Sequence, residues 1–308
     1  MKPGSRRVLL LPERRRFAGQ ALSPQVAATL GRADRLPLGD FGEKAQLLRY
    51  FSLLPRAWPM AAMCRQAELG DARGHTWLRA DPVFIRAEVM GARLMAWGNL
   101  GLEAAEADEL LAPLRPVFGD FGFLISRTKP EHWYLQLPAD IRLPDFALPA
   151  DALGGQLLAH LPEGDLGKRW RMLGNEAQII LHNHPRNAAR IAAGKPPVNS
   201  LWFWAGGQLP DSVQTPVKSV VNADGELQAL AQLAGARLQV GETGDVLIDL
   251  RRERDWSQLE SAQLVPGLAS LRHRHARLVL DFADGAIFAV EAAQRWRLLR
   301  RPLPGLEA

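Results

Sequence analysis

The stretch NHPRNAARIAAGKPPVNSLWFWAGG, residues 183–207, carries more structural instruction than any other part of this chain. Pro185 cannot sit deep inside a helix, but it suits the first turn of a new one. Asn183 or His184 would cap that helix, which runs through RNAARIAA and stops at Gly194. A Pro-Pro break follows, then SLWFW. In an extended strand Leu201 and Phe203 point one way and Trp202 and Trp204 the other. A strand apolar on both faces belongs in a sheet covered on both sides, which is usually parallel.

Working outward, strands and helices alternate. Val8 to Leu11 is a short apolar run after a basic start, typical of a buried first strand. FGEKAQLLRYFSLL has helical spacing. TWLRADPVFIRAEV and RLMAWGNL form a strand pair with a turn around Met90 and Gly91. LGLEAAEADELLAPLRPVF is a helix with an acidic opening, broken near Pro113 and Pro116. FGFLISR and HWYLQLP are another strand pair. LPADIRLPDFALPADALGG is a proline-punctuated connector, and GNEAQIILHNHP has apolar positions at helical spacing as far as Leu181. Beyond SLWFW come the strand VKSVV, the helix GELQALAQLAGA, the strand GDVLIDL, and a hairpin around Asp284 and Gly285. The expected architecture is an α/β core with a mixed, mainly parallel sheet and an inserted small α+β lobe. Its boundaries are residues 1–68 and 198–308 for the discontinuous core, 69–150 for the insert, and 151–197 for a connector and hinge helix. VLLL and SLWFW are expected in one sheet.

Composition bounds the function classes. The 308 residues are 47% hydrophobic and 23% charged, as in an ordinary globular protein. A single cysteine, Cys64, excludes an internal disulfide framework and fits a reducing, cytoplasmic setting. No apolar run approaches membrane-spanning length. The net charge is +5, but only six of the 38 basic residues are lysine, so the excess of arginine reads as coding bias as much as function. The basic ends RRVLLLPERRR and RWRLLRRPL lack a recognition helix or stacking platforms, so solvated basic surface is favoured over nucleic-acid binding.

Arg186 and Arg190 lie one helical turn apart, with Asn187 between them, near a helix amino terminus whose unpaired amides favour anions. Paired guanidinium forks suit phosphate or carboxylate better than lysines would. Two readings stand side by side here. One is an anion site between this helix and the sheet edge; the other is a solvated helix whose arginines form salt bridges. Histidines offer little for a metal. His182 and His184 fall on nearly opposite sides of a helix. His273 and His275 share a strand face by spacing, near Asp281, yet histidines before a strand are more often plain surface residues. No metal and no cofactor is expected.

HPRNAARIAAGKPPVNSLWFWAGG resembles the His-x-x-Asn-x-x-Arg, glycine, asparagine and Trp-rich strand pattern of archaeal-type cofactor-independent phosphoglycerate mutases, in the alkaline phosphatase superfamily. It is more similar still to bacterial RpfE-type regulatory proteins. WLRADPVFIRAEV, FGFLISRTKPEHWYLQLP and the RWRLLRR end share the likeness. The resemblance implies an alkaline-phosphatase-like core. It matches His184, Asn187, Arg190 and Asn199 to the family's recurring polar residues, and together with Arg186 from the helix reading these are the candidate residues for an anionic or phosphorylated metabolite. It also implies two metal ions and an alkoxide nucleophile in the active relatives, and that part of the pattern is not found. Where Asp-Gly follows the first strand in those enzymes, this chain has Pro12 and Glu13 before three arginines. Where an Asp-x-x-x-His cluster is due, GDVLIDLRRERDW offers Asp249 and Asp255 without histidine. The expectation is a catalytically degenerate, regulatory relative with an anionic small metabolite or a protein as partner. The alternatives are an active mutase using unrecognised ligands and a nucleic-acid-binding regulator.

Overall fold

A computed structural model describes residues 6–89, 91–239, 244–271 and 277–307. The strands are β1 (Arg6–Leu11), β2 (Asp34–Arg35), β3 (Ser52–Leu54), β4 (Thr76–Glu88), β5 (Gly91–Trp97), β6 (Leu124–Lys129), β7 (His132–Leu137), β8 (Ser200–Gln208), β9 (Ser212–Gln214), β10 (Ser219–Val221), β11 (Val246–Asp249), β12 (Arg277–Phe282) and β13 (Ile287–Glu291). The chain divides into two compact units, Met1–Arg56 with Ser212–Ala308, and Ala57–Asp211.

The discontinuous unit is built on a six-stranded sheet in the order β10-β11-β1-β12-β13-β2. The first four strands run parallel and the last two pairings are antiparallel. The mixed, mainly parallel sheet expected from the sequence is therefore present. VLLL is its centre: Val8 to Leu11 are buried, and Leu9 and Leu11 pack with Leu280, Phe282 and Trp256. The Asp284–Gly285 hairpin also forms. Gly285 has φ +83°, and a Cβ there would stand 2.2 Å from the Gly39 carbonyl oxygen, so only glycine fits this turn. A two-stranded antiparallel ribbon joins β3 to β9 at the points where this unit's chain leaves and returns. FGEKAQLLRYFSLL is helical only over Glu43–Leu48, and its end becomes β3.

The Ala57–Asp211 unit is α+β. Its sheet is antiparallel throughout, with β4 pairing β5, β7 and β8, and β7 pairing β6. Here the expected organisation needs correcting. The strand containing SLWFW, β8, lies against β4 in this sheet, not beside VLLL, and its partner is antiparallel. The unit also takes in the helix Met60–Leu69 and the whole 151–197 region. The strand is apolar on both faces, as its sequence implies. Leu201 and Phe203 pack with Trp170 and Leu173 of the long helix Gly164–His182, while Trp202 and Trp204 pack with Val83, Ile85 and Leu94. An antiparallel sheet covered on both faces carries the same signature as a parallel one. The turn expected at Met90 falls on a residue outside the described ones, with β4 ending at Glu88 and β5 starting at Gly91.

Within this sheet the RAD of TWLRADPVFIRAEV puts two charges on one face of β4. Asp81 is fully buried and accepts from Arg79 Nε and Nη2 at 2.8 and 2.9 Å. It also accepts the indole N–H of Trp204 at 2.8 Å, that of Trp97 at 3.3 Å and the Trp133 amide at 3.2 Å. Arg79 stacks 4.9 Å over the Tyr134 ring and 5.3 Å over Trp204. Burial opposes its charge, and the Asp81 carboxylate more than offsets that, holding the guanidinium protonated. Removing one member of a buried pair strands the other, at a loss of about 3–5 kcal/mol. Asp81→Ala is therefore expected to lower unfolding stability by about that amount in urea titrations, with the Arg79→Met/Asp81→Leu double variant recovering much of the loss. Additive losses would show that the two charges are not coupled.

Candidate functional site

The residues singled out in 183–207 are brought together, but around protein groups. The long helix ends at His182, and Arg186–Ala192 forms a short second helix. The His184 ring accepts the Arg186 amide through Nδ1 at 3.2 Å, which closes the start of that helix. Asn187 is buried and ties three points: Nδ2 donates to the Leu181 and Val198 carbonyls at 2.7 and 2.9 Å, and Oδ1 accepts the Val198 amide at 2.8 Å. Asn199 acts as a side-chain substitute for a strand neighbour. It accepts from the Ile85 amide at 2.8 Å and donates to the Ile85 carbonyl at 2.7 Å, where the β4–β5 register shifts.

The arginines do not form a shared fork. Arg190 is 1% exposed and donates to the Pro196 carbonyl at 3.0 Å, the Leu100 carbonyl at 2.6 Å and Glu106 at 3.0 Å. Arg186 grips Glu109 with Nε and Nη2. Both thus seize one acidic helix, Ala104–Leu111, whose Glu106 and Glu109 are three residues apart and share a side. Of the two readings, salt bridging is what the geometry displays, and the expectation of solvation fails for Arg190. Its donors point at carbonyls and a carboxylate, so an anion would have to displace protein partners to reach them.

A second cluster sits at the carboxyl ends of the parallel strands, where α/β sheets commonly bind ligands. After β11, Arg251 lies buried among three carboxylates: Asp249 at 2.7 Å, Asp224 at 2.8 Å and Glu43 at 3.2 Å. Burial works against this charge, but the Asp249 hydrogen bond and the surrounding carboxylates raise its pKa instead. At the end of β12, fully buried Asp281 accepts Arg49 Nη2 at 2.7 Å, Arg49 Nε at 3.1 Å and the Tyr50 hydroxyl at 2.6 Å. Burial, and then the Asp281 charge, push the Tyr50 phenol far up, so it donates and does not ionise. Gln46 caps the same edge, giving its amide to the Leu11 and Asp281 carbonyls. After β1, Glu13 pairs with Arg15, and Arg14 with Asp284 at 2.8 Å.

The metals implied by the resemblance do not fit this edge. Divalent cations need ionised carboxylates with open lone pairs or neutral imidazoles, whereas Asp249, Asp224 and Glu43 converge on Arg251, and Asp281 on Arg49. Among the described residues, no group of three or more His, Cys, Asp or Glu side chains is placed to hold a metal ion. His273 and His275 lie outside the described residues. Asp249 stands out in the sequence, but its partners, Glu43 and Asp224, do not, because they come from distant parts of the chain. No sequence pattern marks Glu68, on the Met60–Leu69 helix, which accepts from the Tyr134 hydroxyl at 2.8 Å and from Thr128, and meets His132 Nδ1 at 2.7 Å and Lys129 at 3.1 Å. Burial raises the pKa of Glu68, but the His132 and Thr128 bonds outweigh it and hold the carboxylate well below its usual range.

No family model matches the chain. Stretches of it are similar to 2,3-bisphosphoglycerate-independent phosphoglycerate mutases, and over these stretches the chain is homologous to them. A probable mutase of Geobacter sulfurreducens is 42% identical over 62 residues, 20% of this chain and 16% of that protein. The Methanosarcina barkeri mutase is 33% identical over 94 residues, 30% and 23% of the two chains. The Methanothrix thermoacetophila mutase is 30% identical over 105 residues, 32% and 27%. The matches thus span less than a third of these relatives. Among solved structures, the cofactor-independent phosphoglycerate mutase of Thermoplasma acidophilum aligns over 93% of this chain and 89% of its own, at 16% identity and TM-score 0.43. A Pyrococcus horikoshii protein aligns over 99% and 91%, at 10% identity and TM-score 0.49. Among the described residues, no helix is long and apolar enough to cross a membrane.

Two measurements follow from this geometry. Arg190→Ala is expected to cost about 3–5 kcal/mol, because it strips the buried Leu100 carbonyl and the partly buried Glu106 and Pro196 acceptors of their donor. Arg186→Ala, breaking a pair 33% and 47% exposed, should cost less than about 1 kcal/mol. Equal losses in chemical denaturation would refute the clamp as described. For Glu68, a folded pKa below the unfolded value of about 4.3 means its contribution is full above that pH and is lost as pH falls through the folded value. Glu68→Gln should therefore flatten the acid limb of the stability profile, and an unchanged limb would place that titration elsewhere.

Proposed function

We propose that this chain is a catalytically degenerate relative of the phosphoglycerate mutases, with a regulatory role of the RpfE type and an anionic small metabolite as its ligand. The observation that carries the proposal is Arg251, buried between Asp249, Asp224 and Glu43 at the strand ends. A guanidinium supplies the positive charge that three converging carboxylates require. It has no vacant coordination position, does not lower the pKa of a bound water, and cannot hold attacking and leaving oxygens together. Arg49 does the same for Asp281. On this reading the strand-end carboxylates persist as structure, and their electrostatic demand is met internally.

Two hydroxyls of this unit, Tyr50 and Ser23, are engaged in structural roles. Tyr50 is held protonated by burial and by Asp281, and Ser23 accepts the Val26 amide as a helix cap. The test is an assay of purified protein for phosphoglycerate interconversion and phosphoester hydrolysis, with and without manganese, zinc or cobalt. No turnover above the metal-only background is expected. Robust metal-dependent turnover that is lost in Asp249→Asn or Asp281→Asn would overturn the proposal and identify an active mutase.

A further inference from the structure

The motif RWRLLRR, residues 295–301, belongs to none of the clusters described above. It begins in the 3₁₀ helix Ala292–Trp296, which follows β13 in the discontinuous unit, and both of its ends are pinned. On one side buried Gln294 donates to Asp34 at 3.0 Å and to the Ala289 carbonyl at 3.1 Å. Arg297 Nη1 reaches the Arg32 carbonyl at 3.0 Å and Asp34 at 2.5 Å. On the other side the Leu303 amide donates to the Ala27 carbonyl at 2.8 Å, and Leu303 and Leu306 join the core of this unit. The helix Pro24–Arg32 has glycine where the segment lies against it: a Cβ at Gly31 would stand 2.1 Å from the Arg301 carbonyl oxygen.

Between these pins the chain presents side chains that a globular protein normally hides. Leu299 is 100% exposed, Leu298 72% and Trp296 71%. Trp296 is the one exposed tryptophan among the described residues. Single exposed apolar side chains are ordinary, but three within four residues of a pinned turn make a patch.

The charge around the patch has one sign. From Ala292 to Leu306 the sequence holds four arginines and no Asp or Glu. Arg297 is engaged by Asp34, whereas Arg295, Arg300 and Arg301 are exposed and form no ion pair among the described residues. Arg295 lies 4.9 Å over the Trp296 ring. A tryptophan, leucines and unpaired arginines in one turn suit the boundary of a lipid bilayer. The indole sits at headgroup level, the leucines reach the acyl chains, and the guanidinium groups meet phosphates. A nucleic acid would engage the arginines and the ring but would leave Leu298 and Leu299 in water.

We infer that residues 295–301 dock on an anionic phospholipid surface, with Trp296, Leu298 and Leu299 entering the interface and Arg295, Arg300 and Arg301 meeting lipid phosphates. The test is co-sedimentation of the full chain with vesicles of phosphatidylcholine, with or without phosphatidylglycerol, at low and high salt. Binding is expected with phosphatidylglycerol, about tenfold or more above phosphatidylcholine alone, and should weaken as salt rises. Arg300→Gln/Arg301→Gln should weaken it by about fivefold per arginine. Leu298→Ser/Leu299→Ser should weaken it about tenfold at the parent melting temperature, since both side chains are exposed in the free protein. Brominated lipid in the vesicles should quench the parent's tryptophan emission and leave Trp296→Phe nearly unquenched. No binding to the anionic vesicles, equal binding to phosphatidylcholine alone, or unchanged binding in the leucine variant would each overturn the inference. Binding of duplex DNA in place of the vesicles would show a nucleic-acid surface instead.

Discussion

The Asp81 carboxylate organises the Ala57–Asp211 unit. It collects five donors from four strands: two from Arg79 on its own β4, and one each from Trp97 on β5, Trp133 on β7 and Trp204 on β8. A buried charge left short of partners is expensive, so these strands have one acceptable register around it. The aromatic strand that dominates the sequence follows from this. Trp204 can be buried because its indole N–H has somewhere to go, and the neighbouring face of the strand is left to Leu201 and Phe203.

Arginine plays the same part three times. Arg79, Arg190 and Arg251 are each almost wholly buried, and each answers acidic groups with a fixed planar fork, Arg190 reaching two carbonyls as well. The excess of arginine over lysine is therefore more than a compositional habit. Lysine, a point charge with three donors, could not replace the Arg190 contacts to two carbonyls and a carboxylate at once. At the strand ends the same property has a chemical consequence. Carboxylates neutralised by a guanidinium are unavailable to a divalent ion, so a stabilising interaction and a catalytic one compete for the same oxygens.

How much of this was readable in the sequence depended on the range of the interaction. VLLL, the DG hairpin and the helix after Pro185 announce themselves within a few residues, and all three form as read. The two-faced character of SLWFW was readable too, but its partner was not, because burial on both faces is indifferent to strand direction. The spacing of Arg186 and Arg190 placed them correctly on one helix. Whether they met solvent, an anion or carboxylates turned on Glu106 and Glu109, far upstream. Arg79 and Asp81 carry a local sign: two opposite charges at i and i+2 inside the apolar stretch Trp77–Ile85 share a face and pair.

The pairing of β1 bears on how the chain is made. Its neighbours, β11 and β12, are Val246–Asp249 and Arg277–Phe282, so the central strand of the sheet is synthesised first and enclosed last. Val8 to Leu11 would emerge early as an apolar segment with two unsatisfied edges and wait for most of the chain to follow. Long-range parallel pairing of this kind folds slowly and exposes strand edges to aggregation in the interval. The Ala57–Asp211 unit, a continuous stretch of chain, is complete well before then and can fold while the other waits. The arginines just before and after VLLL, Arg6, Arg7 and Arg14 to Arg16, give that waiting segment charged flanks, which are the usual protection of an exposed strand against self-association.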